Sequence, residues 1–306
     1  MSAVSGGPLH DVIIIGGSYS GLSAALVLGR ARRNVLVIDR GEPCNRVVQH
    51  AQNLLTHDGR APAEIRALAL QDLSAYPNVR ILNDEAVTFL REEDRARVKD
   101  RSGNWHDARK ILLAFGVKDE MPTIPGFAEC WGLTVAHCPY CHGYELRDQR
   151  LGVRGNGDPG FEYARLLTNW TDRLTLFTDG PSTLSAHHTH LLKGKGVIIE
   201  ERPIVRLEHT NGQLGSIVVK GDIALPFDGL FSRVPFTLPQ TLIKDIGCAL
   251  TEIGLIAVDE RGRTNVPGVS AAGDCTIPLR SLAQAIGSGN AAGAFLNHAL
   301  TEEDLH

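Results

Sequence analysis

Cys138 and Cys141 are separated by Pro139 and Tyr140 and followed at once by His142, in the stretch AHCPYCHGYEL at 136–146. A C-x-x-C-H run can attach a c-type haem, supply part of a metal site, or form a redox-active disulfide beside a proton carrier. Haem attachment calls for an oxidising compartment and a distal axial ligand. MSAVSGGPLH at the N-terminus has no basic region leading into an apolar run, and the methionines are Met1 and Met121 alone. Structural zinc takes four ligands. Cys130, His137 and His142 are near in sequence, but no second C-x-x-C or spaced His pair accompanies the first, so zinc is disfavoured and stays open. HHTH at 187–190 reads as a solvated loop rather than a metal site. The redox chemistry is complete as it stands. Two cysteines at this spacing close a small disulfide ring, one thiol attacks an external disulfide, and the other resolves it or faces an electron carrier. His142 can hold or release the proton that moves with that exchange.

These residues need a scaffold, and the chain offers two copies of one. DVIII at 11–15 reads as a buried parallel strand, GGSYSG at 16–21 as a tight turn, LSAALVLGRA as a helix, and NVLVID at 34–39 as a second strand ending in Asp39. That order is a nucleotide-binding βαβ unit, with backbone N–H groups at a helix N-terminus for the pyrophosphate and an acid for the ribose diol. RLGVRGNGDPG at 150–160, FEYARLLTNW and RLTLFTD at 173–179 repeat it. The last glycine precedes the acid by 18 residues in the first copy (Gly21 to Asp39) and by 19 in the second (Gly160 to Asp179), which points to an internal duplication.

The second copy differs in charge. No Arg or Lys lies between 174 and 192, and Asp158 and Asp179 put negative charge where phosphates would bind. An adenosine 2′-phosphate needs arginines there, so NADPH is disfavoured; NADH binding and an empty domain stand as equal alternatives. The strand KILLAFG (110–116) precedes a Pro/Gly-bearing crossing at 117–127, and SRVPFTLPQ (232–240) reads as the return. VPGVSAAGDCTIP (266–278) then gives a strand ending in Gly-Asp, and a helix rich in small residues spans about 281–299. The second domain is therefore inserted in the first. Composition fits an ordinary globular chain of 306 residues, 43% apolar and 22% charged, and a formal net charge of −4 without a basic patch argues against nucleic acid and anionic membrane surfaces. VIIIGG is too short to span a bilayer, and six cysteines with one close pair fit a cytoplasmic protein better than a secreted disulfide framework.

Taken together, DVIIIGGSYSGLSAAL, CPYCHGYE, the inserted second fingerprint, VPGVSAAGDC and the AQA of the last helix resemble the low-molecular-weight thioredoxin reductase family of FAD-dependent pyridine nucleotide-disulfide oxidoreductases, over nearly the full length. The resemblance implies an α/β fold of two Rossmann-like dinucleotide-binding domains. Residues 1–117 and 241–306 would form the FAD-binding domain, and 118–240 an inserted NAD(P)-like domain carrying the C-x-x-C. It implies FAD contacts at Gly16, Gly17, Ser18, Ser20, Gly21, Asp39, Asn45, Asn53 and Val87, and at Ala114, Gly116, Gly273, Asp274, Gln284 and Ala285. It implies a homodimer in which Cys141 faces the flavin, Cys138 attacks the external partner and His142 relays the proton. Three positions depart from the family pattern: Phe115 stands in its Ala-Thr-Gly, Ala283 replaces the Arg of its Arg-Gln-Ala, and His142 replaces the Asp after its C-x-x-C. The expected activity is two-electron exchange between FAD and the cysteine pair, then with a thioredoxin-like protein or a small dithiol or disulfide. The electron donor stays open, with ferredoxin or another flavoprotein among the choices. The alternatives are a dithiol oxidase using oxygen and a non-catalytic flavin- or zinc-binding regulator.

Overall fold

The computed structural model describes residues 9–92 and 95–306. They divide into two compact units. The first gathers the described residues up to Arg46, Asn53–Lys118 and Phe236–His306; the second gathers Val47–Gln52 and Asp119–Pro235.

In the first unit the apolar run His10–Ile15 forms the inner strand of a sheet ordered Val79–Asn83, Val35–Asp39, His10–Ile15, Trp105–Leu113, Ala96–Asp100, Ala86–Arg91. The four strands from Val79–Asn83 to Trp105–Leu113 run parallel, and the short strand Val269–Ala271 adds in parallel beside residues 111–113. Alternate side chains of His10–Ile15 and of Val35–Asp39 enter different cores, as the pleat requires. Ile13, Ile15, Leu36 and Ile38 pack with Phe89, Val98 and Leu242. Val12, Ile14, Val35 and Val37 pack under the helices Tyr19–Arg30 and Leu282–Glu303, against Leu22, Leu28, Leu296 and Leu300. Burial on both faces explains why these strands read as unbroken apolar runs.

The small residues of the last helix let it approach the first helix closely. A Cβ on Gly289 would stand 2.1 Å from the Ser20 carbonyl oxygen, and one on Gly293 would stand 2.9 Å from that of Ala24. The helix runs to Glu303, about one turn beyond the expected end at 299. Charge accounts for the extension: Asp304 receives Arg33 and Arg109, each at 2.7 Å, and Glu303 receives Lys110.

Residues 236–240, expected in the insertion, belong to the first unit, because Leu238 is buried in its core and Phe236 packs against it. Residues 47–52, expected in the first domain, group with the second unit. That unit holds a five-stranded parallel sheet ordered Ile198–Glu200, Leu174–Phe177, Leu151–Arg154, Gly229–Ser232, Val135–Ala136, and an antiparallel sheet of Ile204–Thr210, Gln213–Val219 and Ile223–Pro226. HHTH at 187–190 is helical, not a loop: Ser185 caps the helix Ala186–Gly194 by accepting the His188 N–H, and Leu192 is buried beneath it.

Gly289→Ala is expected to destabilise the first unit. The overpacking cost against a backbone carbonyl, about 3 kcal/mol, exceeds the roughly 1 kcal/mol that alanine gains in a helix. Urea denaturation of the two proteins reads the difference.

Candidate active site

Cys138 and Cys141 form a disulfide, with their Cα atoms 5.3 Å apart. The short strand Val135–Ala136 delivers the first cysteine, and Pro139 starts the single helical turn Pro139–His142 that brings the second back. The Cys141 N–H donates to the Cys138 carbonyl at 3.1 Å and closes the turn. Trp170 braces its far side: a Cβ on Gly143 would come within 2.9 Å of Trp170 Nε1, so glycine is what lets the indole pack there. Tyr140, between the cysteines, stands edge-on to Trp170 at 5.7 Å and stays exposed.

His142 ends this turn. Burial pushes its pKa down from the usual 6.5, opposed by a hydrogen bond with the Gly132 backbone and by the Glu145 charge. Its Nδ1 is buried and finds no hydrogen-bond partner among the described residues. A neutral imidazole with an open ring nitrogen can take or give a proton. The other cysteines are differently placed. Cys130 and Cys275 are buried, and burial pushes the Cys275 thiol up to about 12, while Cys44 is exposed and Cys248 half-buried. Among the described residues no group of three or more His, Cys, Asp or Glu is arranged to hold a metal ion.

The first glycine turn lies in the other unit. Gly16, Gly17, Ser18, Asp39, Ala114 and Gly116 line one cleft. Gly16 has φ +106°, and a Cβ there would meet the Ala114 carbonyl oxygen at 2.4 Å; one on Gly17 would meet the Asp39 Cβ at 2.7 Å, and one on Gly21 would overlap the Gly16 carbonyl. Ser18 precedes the helix but its side chain does not cap it, which leaves first-turn N–H groups for an anion. Ser20 Oγ is buried without a partner among the described residues, and Gly273 sits against it, its Cβ position 2.9 Å from the Ser20 Cβ. Asp274 follows Gly273 and lies 3.6 Å from Arg280 Nε. Val87 lies one residue beyond the cleft-lining Ala86, and Asn45 hydrogen-bonds Tyr19. The Asn53 N–H donates to Asp58 at 2.6 Å. Gln284 and Ala285 occupy the first turn of the last helix, where Ser281 caps the Gln284 N–H at 3.2 Å. One participant had no signal in the sequence: Arg66 Nη2 donates to the Asp39 carboxylate at 2.7 Å and Arg66 Nε to the Gly17 carbonyl at 3.3 Å.

The second glycine turn is satisfied by its own chain. Asn156 Oδ1 accepts the N–H groups of Gly157 and Thr183, each at 2.8 Å, and the Thr183 hydroxyl at 3.1 Å. Asn156 Nδ2 donates to the Pro181 and Thr178 carbonyls. Asp179 is taken by Arg154 at 2.9 Å and by the Ile204 N–H at 2.9 Å. His188 stacks on Phe161 at 3.8 Å and reaches Asp158 at 3.2 Å.

Two dinucleotide folds, one carrying a Cys-x-x-Cys disulfide, define a flavin-type disulfide oxidoreductase architecture. The sequence profile of the pyridine nucleotide-disulphide oxidoreductase family matches residues 10–292, and the chain belongs to that family, in its low-molecular-weight thioredoxin reductase-like, FAD-dependent form. It is 31% identical to the thioredoxin reductase tcpT of Claviceps purpurea, over 92% of each chain. It is 28% identical to the thioredoxin reductase sirT of Leptosphaeria maculans, over 97% of this chain and 96% of the other. Its fold matches the oxidoreductase of Agrobacterium tumefaciens with a TM-score of 0.91 at 36% identity, over 96% of this chain and 99% of that one. The family uses FAD and a nicotinamide nucleotide. The first turn fits FAD on its own geometry, because its glycines admit no Cβ and the buried Ser20 hydroxyl has no partner among the described residues.

The lowered pKa of His142 has a signed consequence. Its burial as a neutral ring favours the fold above the ordinary 6.5, and that contribution is lost as pH falls through the lower folded value. The parent is expected to lose Tm below pH 6.5 and His142→Gln to lose less, a difference that thermal melts across pH would read.

Proposed function

We propose that this chain moves two electrons between FAD and the Cys138–Cys141 pair and exchanges them with an external thiol or disulfide, without efficient use of NADPH. One observation carries the reading: a disulfide closed over two intervening residues, directly followed by a half-buried histidine with an open ring nitrogen. FAD, when bound, accepts or supplies the electron pair. Gly16, Gly17, Ser18, Ser20, Gly21 and Asp39 hold its pyrophosphate and ribose side, and Gly273, Asp274, Gln284 and Ala285 its flavin side. Arg66 keeps the Asp39 carboxylate oriented.

The residues of the second unit do the thiol chemistry. The external thiolate attacks Cys138 and displaces Cys141 as the leaving thiolate, and the partner's second thiol then releases Cys138 with formation of the partner's disulfide. In the reductive direction the same bonds break and form in reverse. His142 takes the proton released by an attacking thiol and returns it to a leaving thiolate. The relatives' names say thioredoxin reductase, which favours a thioredoxin-like protein as partner; a small dithiol or disulfide uses the same bonds.

The internally bonded second glycine turn supports a donor other than NADPH. Asn156 already occupies the Gly157 N–H, and Arg154 already occupies Asp179. The same closure favours, as a second reading, a dithiol oxidase that discharges electrons to oxygen. An anaerobic spectral titration of the purified flavoprotein with NADPH, NADH and reduced ferredoxin in turn separates these cases. Slow or absent bleaching by NADPH is expected, and rapid bleaching at micromolar NADPH would refute it. Oxygen uptake driven by a small dithiol selects the oxidase. Cys138→Ser and Cys141→Ser are each expected to abolish thiol–disulfide exchange, and full exchange in both variants would end the whole reading.

A further inference from the structure

We infer that Tyr163, on the helix Gly157–Leu167, is a positioning residue that holds the Cys138 end of the redox ring. Its Oη donates to the His137 carbonyl at 2.7 Å, one residue before Cys138. The side chain is almost wholly buried, at 3% exposure, among Ala136, Phe161 and Phe231. Burial raises its pKa, so the phenol stays protonated and donating at every physiological pH. Two further restraints act on the same short segment. Val135 and Ala136 pair in parallel with Leu230 and Phe231, and the His137 ring stacks on Trp131 at 5.8 Å. Beyond Cys138 the turn is held differently, by the Cys141 N–H on the Cys138 carbonyl and by Trp170 against Gly143, while Tyr140 stays exposed. The peptide that carries Cys138 is therefore fixed from strand, ring and carbonyl, while the turn that carries Cys141 closes onto it.

The first helix after the second glycine turn thus also braces the redox loop. This inference rests on the redox role of Cys138 and Cys141 proposed above and adds a determinant of their potential. Holding Cys138 in its ring-closing position raises the effective concentration of one thiol at the other, which favours the disulfide over the dithiol. The guanidinium of Arg233, 5.1 Å from the Tyr163 ring centre, makes the phenol a stronger donor by its charge.

The test is the equilibrium of the FAD-loaded protein with reduced and oxidised dithiothreitol, read by thiol trapping and mass spectrometry of the Cys138–Cys141 peptide. In that exchange one dithiothreitol loses two electrons and two protons and closes to its cyclic disulfide. The Cys138–Cys141 bond breaks and both sulfurs are protonated. Tyr163→Phe is expected to make the pair easier to reduce by roughly two- to tenfold, the range set by the loss of one net hydrogen bond. Thr178→Val, which removes a buried hydroxyl bond to the Gly180 carbonyl in the same unit, is expected to lower Tm without moving the equilibrium. An equilibrium within twofold of the parent in folded Tyr163→Phe, a shift toward the disulfide, or an equal shift in Thr178→Val would overturn the inference. Should Tyr163→Phe not fold, Arg233→Leu, which removes the exposed cation 5.1 Å from the ring centre, decides, with a smaller shift of the same sign expected and an unchanged equilibrium fatal. A parent protein whose pair never exchanges with dithiothreitol would instead remove the redox reading itself.

Discussion

Backbone N–H groups at the end of a buried parallel strand must be satisfied, and the two glycine turns of this chain meet that demand in different ways. At the first turn, glycine packing brings Ala114, Asp39 and the first helix so close that no side chain fits between them. The helix starts without a side-chain cap, and the Ser20 hydroxyl has no partner among the described residues. These are groups of the kind that an anionic cofactor would bond. At the second turn, Asn156 reaches back and closes the loop 178–183 onto the glycines. The helix after the first turn has no side-chain cap; the one after the second is capped by Asn156.

That self-closure changes what the second fold contributes. Its parallel sheet ends in Val135–Ala136, the strand that delivers Cys138, and Tyr163 of the helix Gly157–Leu167 donates to the His137 carbonyl between them. Trp170, just beyond that helix, packs on the turn after Cys141 because residue 143 is glycine. A dinucleotide fold that carries its own polar partners has the rigidity to hold a four-residue redox ring, and rigidity in such a ring sets how readily it opens. His142 shares the arrangement: burial lowers its pKa, and its Nδ1 has no hydrogen-bond partner among the described residues.

Much of this was legible along the chain because it is written in local patterns. The strands 11–15 and 34–39 are apolar on both faces, the glycines sit at the strand-to-helix turn, and the cysteines are two residues apart. The repeat of one pattern at nearly equal spacing made the insertion readable. Contacts between residues far apart in sequence were not readable. Arg66 lies 27 residues from the Asp39 that it bonds, and Tyr163 lies 26 residues from the His137 that it holds. HHTH looked like a polar loop because the apolar residues that seat its helix, Phe161 under His188 and the buried Leu192, lie outside the tetrapeptide.

By itself, then, the sequence determined the two βαβ units, the order in which they are nested and the chemistry open to CPYCH, since each follows from periodicity, glycine placement or thiol spacing. Only the tertiary structure decided which glycine turn keeps its N–H groups open, which arginine stands on each acid, and what holds the cysteine ring in place. The reason is physical. Strand and turn propensities act over a few residues, whereas the satisfaction of a buried polar group depends on whichever side chain the fold brings within about 3 Å.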